Sequence, residues 1–275
     1  MSRDVDLYDT HYSHLAAIAQ TEVRRETYDE DLGQSSWITL AEAREWFGLL
    51  RLDAGSRVLE VGSGSGGITR RLAMETGASA VGVDINPHGI EAASAAAVRE
   101  GVASRVSFQV VDAAARLPFA DASFDAIFCN DAINHLPHRA ELFVDWHRVL
   151  KPGGRLLFTD PIVVTGPVTS EEIRVRSSIG FYLFLPAGGN ERLLERAGLV
   201  VDQVRDVTDA EATVSARWRD ARARRREALA AIEGQEAFDG LQRFLDAVCT
   251  LSSERRLSRF AYLAHKPAGP EGLER

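Results

Sequence analysis

The chain has 275 residues, of which 45% are hydrophobic, and this size and apolar content suit one domain with insertions around a full core. Its formal net charge of −8 argues against a general nucleic-acid binder, whose surface normally carries a basic field. No apolar run approaches the roughly 20 residues that cross a bilayer, and the polar, acidic start is unlike a signal peptide, so we expect a cytoplasmic protein without membrane insertion.

Two helical patterns come first along the chain. They cover residues 11–26 and 40–50. The second begins with the spacing of a capping box, in which Thr39 and Glu42 each accept a hydrogen bond from the other residue's backbone. We assign residues 1–52 to an N-terminal helical cap.

Short β-branched runs then alternate with helical patterns. The predicted strands are residues 57–62, 79–84, 105–112, 124–130 and 154–160. The predicted helices between them are residues 68–74, 87–100 and 138–150. This alternation is typical of a parallel sheet with helices on both faces. We therefore predict a doubly wound α/β core over residues 53–208.

The last part of the chain returns to this sheet after a helical interruption. Residues 199–206 and 257–266 have strand patterns that would extend the sheet at its far edge, and 257–266 would be the final strand of the core. Residues 209–256 are predicted to be a helical insertion that forms a lid over an acceptor. The tail, residues 267–275, is predicted to be disordered.

An arginine-rich stretch, residues 217–229, lies inside this insertion. An anion site or an RNA contact is one interpretation. However, the arginines fall on nearly every side of a helix, and the chain is acidic overall. We interpret the stretch as the solvated surface of a lid.

The sequence VLEVGSGSGG, residues 58–67, places glycines directly after the first predicted strand. Gly62, Gly64 and Gly67 satisfy the pattern G-x-G-x-x-G between a strand and a helix, which is typical of a dinucleotide site. Asp84 stands at the end of the next strand, where a carboxylate can accept both hydroxyls of a ribose. Together they predict a nucleoside-containing ligand, and a tight turn without a ligand is the alternative.

Glu60 indicates the charge of that ligand. It lies two residues before the glycines, where its carboxylate would repel a pyrophosphate but would attract an ammonium or sulfonium group. Asp112, at the end of the third strand, is placed to accept from an adenine amino group. We therefore predict a positively charged nucleoside ligand rather than a nicotinamide dinucleotide.

Five motifs carry a resemblance to a known family: VLEVGSGSGG, VGVDIN, VVDAAARLPF, SFDAIFCNDAINHL and VLKPGGRLLFTD, in this order and spacing. They resemble the class I methyltransferases that use S-adenosylmethionine. The resemblance covers about residues 49–160. It implies a Rossmann-like, seven-stranded methyltransferase sheet whose last strand is antiparallel, with the N-terminal helices and the helical insertion as a cap.

The same resemblance implies which residues bind S-adenosylmethionine. Glu60, Gly62, Ser63 and Gly64 would surround its methionine portion. Asp84 and Ile85 would contact the ribose and one adenine face, and Asp112 and Ala113 the adenine edge. Asn130 would lie near the sulfonium.

The acceptor side resembles one branch of the family. Residues 28–39 and the run DAINH resemble the phosphoethanolamine and sterol methyltransferases, in which an N-terminal tyrosine and a loop histidine form a latch over the cofactor and assist deprotonation. The matching positions are Tyr28, for cofactor binding and catalysis, and His135, for catalysis. The sequence departs from the phosphoethanolamine pattern after Ser36, and a structural role for His135 is the alternative.

Two further groups of side chains have open roles. Asp131 and Asp160 are candidates for binding a cationic amine or for capping their neighbouring turns. Isolated aromatic residues are candidates for an acceptor pocket or for the core: Trp37, Phe181, Tyr182, Phe184 and Trp218.

These observations lead to one hypothesis of function. We predict an S-adenosylmethionine-dependent methyltransferase that acts on nitrogen or oxygen of a small-molecule acceptor, with His135 titrating at about pH 6 to 7 as a free imidazole does. Carbon methylation of a sterol-like or quinone-like acceptor is the alternative. A nicotinamide-dependent oxidoreductase or a non-catalytic nucleotide-binding protein is less favoured. We predict no metal site, and the sequence leaves the oligomeric state open.

Overall fold

A computed structural model describes residue 12 and residues 14–268 of the chain. Its helices are α1 (Ile18–Thr27), α2 (Leu40–Leu50), α3 (Gly67–Thr76), α4 (Pro87–Arg99), α5 (Arg139–Val149), α6 (Ser170–Arg176), α7 (Gly189–Arg196), α8 (Thr208–Ala223), α9 (Arg226–Glu233) and α10 (Gln235–Ser253). Its strands are β1 (Arg57–Val61), β2 (Ser79–Asp84), β3 (Val106–Val110), β4 (Phe124–Cys129), β5 (Leu150–Val164), β6 (Leu185–Pro186), β7 (Val200–Asp206) and β8 (Leu257–His265). None of these helices is long and apolar enough to cross a membrane.

The strands of the described residues form one eight-stranded sheet. Its order is β3-β2-β1-β4-β5-β8-β7, and β6 pairs with β5 off this path. The strands from β3 to β5 pair in parallel, whereas β8 is antiparallel to both β5 and β7. The predicted doubly wound sheet with an antiparallel last strand is confirmed. The sequence missed β6, because two residues are too short to show a pattern.

Helices cover both faces of the sheet, and the strands alternate between two apolar clusters. In β1, Leu59 packs in the cluster that contains Trp146, and Val58 packs in the opposite cluster with Trp46. Successive side chains of a strand point to opposite faces, so a strand that is covered on both sides is mostly apolar, and Glu60 is the buried exception in β1. The glycine loop thus begins where a fully buried strand ends.

A third apolar cluster joins the N-terminal helix to the late helices. Val23 of α1 packs with Trp218 of α8 and Phe244 of α10. The arginine-rich stretch adds ion pairs to this contact, such as Arg225 with Glu22 at 2.9 Å. Arg222 departs from the predicted solvated surface, because it is buried and lies 2.8 Å from Glu233.

The N-terminal helices differ from the prediction in two details. α1 begins at Ile18 rather than near residue 11, which lies outside the described residues. At α2, the Thr39 hydroxyl accepts from the Glu42 backbone N–H at 3.2 Å, but the Glu42 carboxylate accepts from Arg259 at 2.7 Å instead of returning to Thr39. Only half of the predicted capping box forms, because a buried guanidinium takes the carboxylate. The predicted disordered tail lies mainly outside the described residues.

A buried polar network fixes α5 and α7 to the sheet. Arg139 Nη1 lies 3.1 Å from Asp160 Oδ2 and donates to Asn190 Oδ1 at 2.5 Å. The Asn190 amide donates to the same Asp160 oxygen at 2.9 Å. Asp160, one of the two carboxylates with an open role, is therefore fully buried and serves the fold.

We expect Arg139→Met to lower the free energy of unfolding by about 3 to 5 kcal/mol, because it leaves the Asp160 carboxylate buried without a cation. Arg44→Met is the control. Arg44 pairs with Glu75 at the surface, so its loss should have little effect. Urea denaturation of both variants measures the difference, and equal stability would contradict a buried ionic role for Arg139.

Candidate functional site

A cavity of about 500 Å³ opens at the carboxyl ends of the central strands. This volume and position suit a small ligand at the switch point of a doubly wound sheet. The wall includes most of the predicted site residues: Glu60, Gly62, Ser63, Gly64, Asp84, Ile85, Asp112, Ala113, Asn130 and His135. It also includes residues that the sequence analysis missed: Tyr12, Gln34, Ser35, Ser36, Asn86, Ala132 and Leu136.

The glycine loop is tied to the end of β2. The backbone N–H groups of Gly62 and Ser63 both donate to the Val83 carbonyl, at 2.8 and 3.0 Å. The next N–H, of Gly64, donates to the Asp84 carboxylate at 2.8 Å. Gly62 has a φ of 76°, and a Cβ added there would lie 2.3 Å from the Ala132 Cβ. Glycine is needed at this position for both its backbone conformation and its size.

The N-terminal segment lies directly against this loop. A Cβ added at Gly67 would lie 1.9 Å from the Leu32 carbonyl oxygen, and the Ser65 hydroxyl donates to the Gly33 carbonyl at 2.8 Å. The missing side chain at Gly67 therefore leaves room for the N-terminal segment rather than for a ligand phosphate. This contact brings Gln34, Ser35 and Ser36 to the cavity.

At one side of the cavity lie two polar groups that are suited to a cation. Glu60 is buried and accepts from the Thr69 hydroxyl. Burial raises the pKa of Glu60 to about 8; the Asp84 charge adds to this, whereas Thr69 and Arg70 oppose it. The Ser63 hydroxyl is buried without a hydrogen-bond partner among the described residues. A bound ammonium group would supply what both side chains lack, so these residues fit the amino-acid end of the expected ligand.

Two carboxylates at strand ends are oriented by backbone groups. Asp84 Oδ1 accepts from the Asn86 N–H at 2.9 Å, while Oδ2 holds Gly64. Asp112 Oδ1 accepts from the Ala114 N–H at 2.9 Å. Each carboxylate oxygen has two lone pairs, and both side chains lie on the cavity wall. Ile85 is 65% exposed between them and offers an apolar surface.

A buried arginine that the sequence analysis missed organises the loop after β4. Arg259 of β8 donates from Nε to Asp131 Oδ1 at 2.7 Å and from Nη2 to Asn130 Oδ1 at 3.1 Å. Asp131 Oδ2 accepts from the Trp37 backbone N–H at 2.9 Å. Asp131 is thus paired with Arg259 and Trp37 within the chain, which favours a structural role over the binding of a cationic amine. The available signal was an arginine inside the largely apolar strand LSRFAYLAH.

His135 lies in the 3₁₀ turn Ile133–His135 on the cavity wall. Its Nδ1 is 3.0 Å from the Phe181 carbonyl oxygen. A carbonyl can only accept, so Nδ1 carries the hydrogen and the neutral ring keeps its lone pair on Nε2. Burial lowers the pKa of His135 to about 4, although part of the ring still faces the cavity. The expected titration near pH 6 to 7 is therefore corrected downward.

Tyr28 is not part of the cavity wall. It is buried in the cluster of α1 and α8, where its hydroxyl donates to the Ser36 carbonyl at 2.7 Å. Burial raises its pKa well above the usual range. The structure brings Ser36 to the cavity beside His135, and Tyr28 stands behind Ser36. No group of three or more potential metal ligands occurs in the part of the chain that the structure describes.

Comparison with known proteins gives a consistent picture. Residues 59–158 match the family described as a methyltransferase domain. The methyltransferase GfsG of Streptomyces halstedii is 35% identical over 220 residues, which are 76% of this chain and 77% of that protein. The 27-O-demethylrifamycin SV methyltransferase of Amycolatopsis mediterranei is 33% identical over 164 residues, or 58% of this chain and 60% of that protein.

Solved structures show the same fold. The cyclopropane synthase MmaA2 of Mycobacterium tuberculosis has a TM-score of 0.81 at 16% identity, covering 97% of this chain and 100% of that one. The phosphoethanolamine N-methyltransferase 2 of Haemonchus contortus, solved with phosphomonomethylethanolamine and S-adenosylhomocysteine, has a TM-score of 0.79 at 24% identity. That match covers 96% of this chain and 60% of that one.

The glycine loop yields a prediction with a matched control. Gly62→Ala and Gly101→Ala both place alanine at a similar positive φ, but a Cβ at Gly101 has no neighbour within 4 Å. Gly101→Ala should cost about 1 to 2 kcal/mol of stability, from conformation alone. Gly62→Ala should cost at least about 1 kcal/mol more, from its contact with Ala132. Adding Ala132→Gly to Gly62→Ala should restore that excess in urea denaturation, and an unchanged deficit would contradict the steric account.

Proposed function

This chain belongs to the S-adenosylmethionine-dependent methyltransferases, and from that premise we propose that it methylates an oxygen or nitrogen atom of a small molecule in the cavity described above. The observation that carries the proposal is the buried Glu60 and Ser63 pair, which needs a cationic partner, beside Asp84 and Asp112 in one cavity. The rifamycin enzyme, whose match extends well beyond the glycine-loop core, supports a small acceptor.

Carbon methylation receives less support. The sterol 24-C-methyltransferase ERG6B of Gibberella zeae is 38% identical, but over 100 residues that make up only 36% of this chain. A match of that length argues for the cofactor core more than for the acceptor. Family membership also argues against a nicotinamide-dependent oxidoreductase.

We assign the cofactor contacts to the wall residues by their chemistry. S-adenosylmethionine, when bound, supplies a methyl group made electrophilic by the adjacent sulfonium. The Glu60 carboxylate and the Ser63 hydroxyl would hold the amino-acid end, with Gly62 and Gly64 allowing close approach. Asp84 would accept from the ribose hydroxyls. Ile85 and Ala113 would pack on the adenine, Asp112 would accept from its amino group, and Asn130 would lie near the sulfur.

His135 is the base in this proposal. The neutral ring holds its lone pair on Nε2, which would take the proton of an acceptor hydroxyl, while S-adenosylmethionine held by Glu60, Asp84 and Asp112 would supply the methyl group. A base with a pKa of about 4 is weak, so most of the acceleration would come from alignment of the reactants, worth about 7 to 11 kcal/mol at best.

The proposed latch between Tyr28 and His135 is indirect. Tyr28 would act through Ser36, since its hydroxyl holds the Ser36 carbonyl at 2.7 Å and Ser36 lies on the cavity wall with His135. The predicted cap would close the site through the same segment, because the Trp37 N–H reaches Asp131. α8–α10, within the insertion of residues 209–256, would shape the acceptor side of the cavity.

The cofactor assignment predicts proton release. At pH 6 to 7 the free protein holds a proton on Glu60, whose pKa is about 8, and a bound ammonium group should lower that pKa and expel the proton. Calorimetric titration with S-adenosylmethionine in two buffers of different ionisation enthalpy measures the release, which should fade as the pH rises above about 8.

Glu60→Gln should abolish this release and weaken affinity by about tenfold or more. Asp112→Asn is the control: it should weaken binding but leave the buffer dependence in place, because Glu60 is intact. Tight binding with the same proton release in Glu60→Gln would place the ammonium elsewhere.

The catalytic assignment predicts a pH profile. Formation of S-adenosylhomocysteine with 27-O-demethylrifamycin SV, or with phosphomonomethylethanolamine as the amine alternative, tests the reaction itself. Turnover should rise as the pH passes the His135 pKa of about 4 and should be flat from about pH 6, since His135 is a base only when it is neutral.

His135→Asn separates the two roles of this residue. The asparagine amide can still donate to the Phe181 carbonyl, but it cannot take a proton. We expect turnover to fall by about 10² to 10⁴ and the ascending limb to disappear. Nearly full turnover with an unchanged profile would assign His135 a structural role.

A further inference from the structure

A second, smaller cavity of about 30 Å³ adjoins the main one. We call it the side chamber. The two cavities share wall residues: Ser35, Ser36, Asp131, His135 and Ile179. The rest of the side-chamber wall is Trp37, Asn134, Pro161, Arg176, Tyr182, Trp218, Leu241 and Phe244. Its volume suits one small group of atoms, such as the tip of a ligand.

One cation lies in this aromatic wall. The Arg176 guanidinium carbon lies 5.0 Å from the Tyr182 ring centre and 4.9 Å from that of Phe244. Arg176 is 2% exposed, and its Nη1 has no hydrogen-bond partner among the described residues. Buried guanidinium N–H groups are normally satisfied, so this donor is available to a ligand.

The neighbouring carboxyl does not satisfy this cation. Glu211 Oε1 lies 3.6 Å from Arg176 Nη2, beyond hydrogen-bond distance, and Glu211 Oε2 also lacks a partner in the described part of the chain. Burial raises the pKa of Glu211 to about 8, which keeps it largely protonated at neutral pH. The other nearby carboxylates, Asp131 and Asp160, are paired with Arg259 and Arg139.

Asn134 supplies the complementary group. It is 1% exposed, and its Oδ1 has no partner among the residues that the structure describes. The Ser35 hydroxyl on the chamber wall also has no partner among the described residues, and it can act as donor or acceptor. Arg176 Nη1 and Asn134 Oδ1 add one unsatisfied obligate donor and one unsatisfied obligate acceptor. A hydroxyl group satisfies both, because it accepts and donates at once. A carboxylate would leave Asn134 Oδ1 without a donor, and an ammonium group would be repelled by Arg176.

We propose that the side chamber seats a neutral hydroxyl group of the methyl acceptor, carried on an apolar, ring-containing body, with Arg176 Nη1 donating to the hydroxyl oxygen and Asn134 Oδ1 accepting its hydrogen. The inference rests on the proposed function and narrows the acceptor to hydroxylated, uncharged molecules. The rings of Trp37 and Trp218, whose centres are 5.8 Å apart, would face the body of such an acceptor.

The test uses four ring probes on the full chain saturated with S-adenosylhomocysteine: phenol, toluene, benzoate and benzylamine. Phenol should bind about tenfold tighter than each of the others, as expected for a hydrogen bond to a charged group. The indole N–H signals of Trp37 and Trp218 should shift in NMR spectra, whereas those of the core residues Trp46 and Trp146 should not. Benzoate or benzylamine binding as tightly as phenol would overturn the proposal, as would the absence of any preference for phenol.

Variants assign the preference to its residues. Arg176→Met should remove the preference for phenol over toluene, whereas Arg226→Met, which loses an exposed arginine stacked on Phe238, should retain it. Asn134→Leu should reduce the preference for phenol over toluene. Asn134→Asp, which keeps an acceptor oxygen at this position, should retain it. If Arg176→Met fails to fold, Arg176→Lys is the substitute, and it should still lower the preference for phenol over toluene. Titration of the wild-type chain with S-adenosylmethionine separates the two proposals: no binding refutes the proposed function, whereas binding without phenol preference refutes only the side chamber.

Discussion

The need to neutralise one buried guanidinium constrains the side of the cavity wall that follows β4. Arg259 is fully buried on the last strand, and its three nitrogens reach Asp131, Asn130 and Glu42. A fully buried guanidinium is stabilised when hydrogen-bonding partners surround it, as they do here. The antiparallel strand, the loop after β4 and the second helix must therefore meet at one point, and this meeting places Asn130 and Asp131 on the cavity wall.

The parts of the fold that local patterns encode were predictable. Strand β1 shows its burial on both faces as a mostly apolar run, interrupted by Glu60, and the glycine loop is visible as a spacing of residues within one turn. Asp84 and Asp112 follow from the same logic, because they mark the ends of strands that a parallel sheet must bring to one edge. Nearly all the predicted wall residues could be found in this way, from patterns of residues that are close in sequence.

The residues that were missed depend on contacts between distant parts of the chain. Arg259 is 128 residues from Asp131 and 217 from Glu42 in sequence, so no local pattern could show that Glu42 would leave its own helix cap. The position of Tyr28 also depends on distant contacts, because it packs in the cluster of α1 and α8 while its hydroxyl donates to the Ser36 carbonyl. The pKa of His135 likewise depends on burial, which lowers it, and on the contact of Nδ1 with the Phe181 carbonyl, which opposes this, and only the folded chain supplies both.

The contact between Trp37 and Asp131 has a consequence for how such a protein can diverge. The segment is fastened through the backbone N–H at position 37, and every amino acid except proline provides that group. The indole ring faces the side chamber and takes no part in this hydrogen bond. Substitution at position 37 by any residue other than proline therefore changes the side chain on the chamber wall while the backbone donor to Asp131 remains.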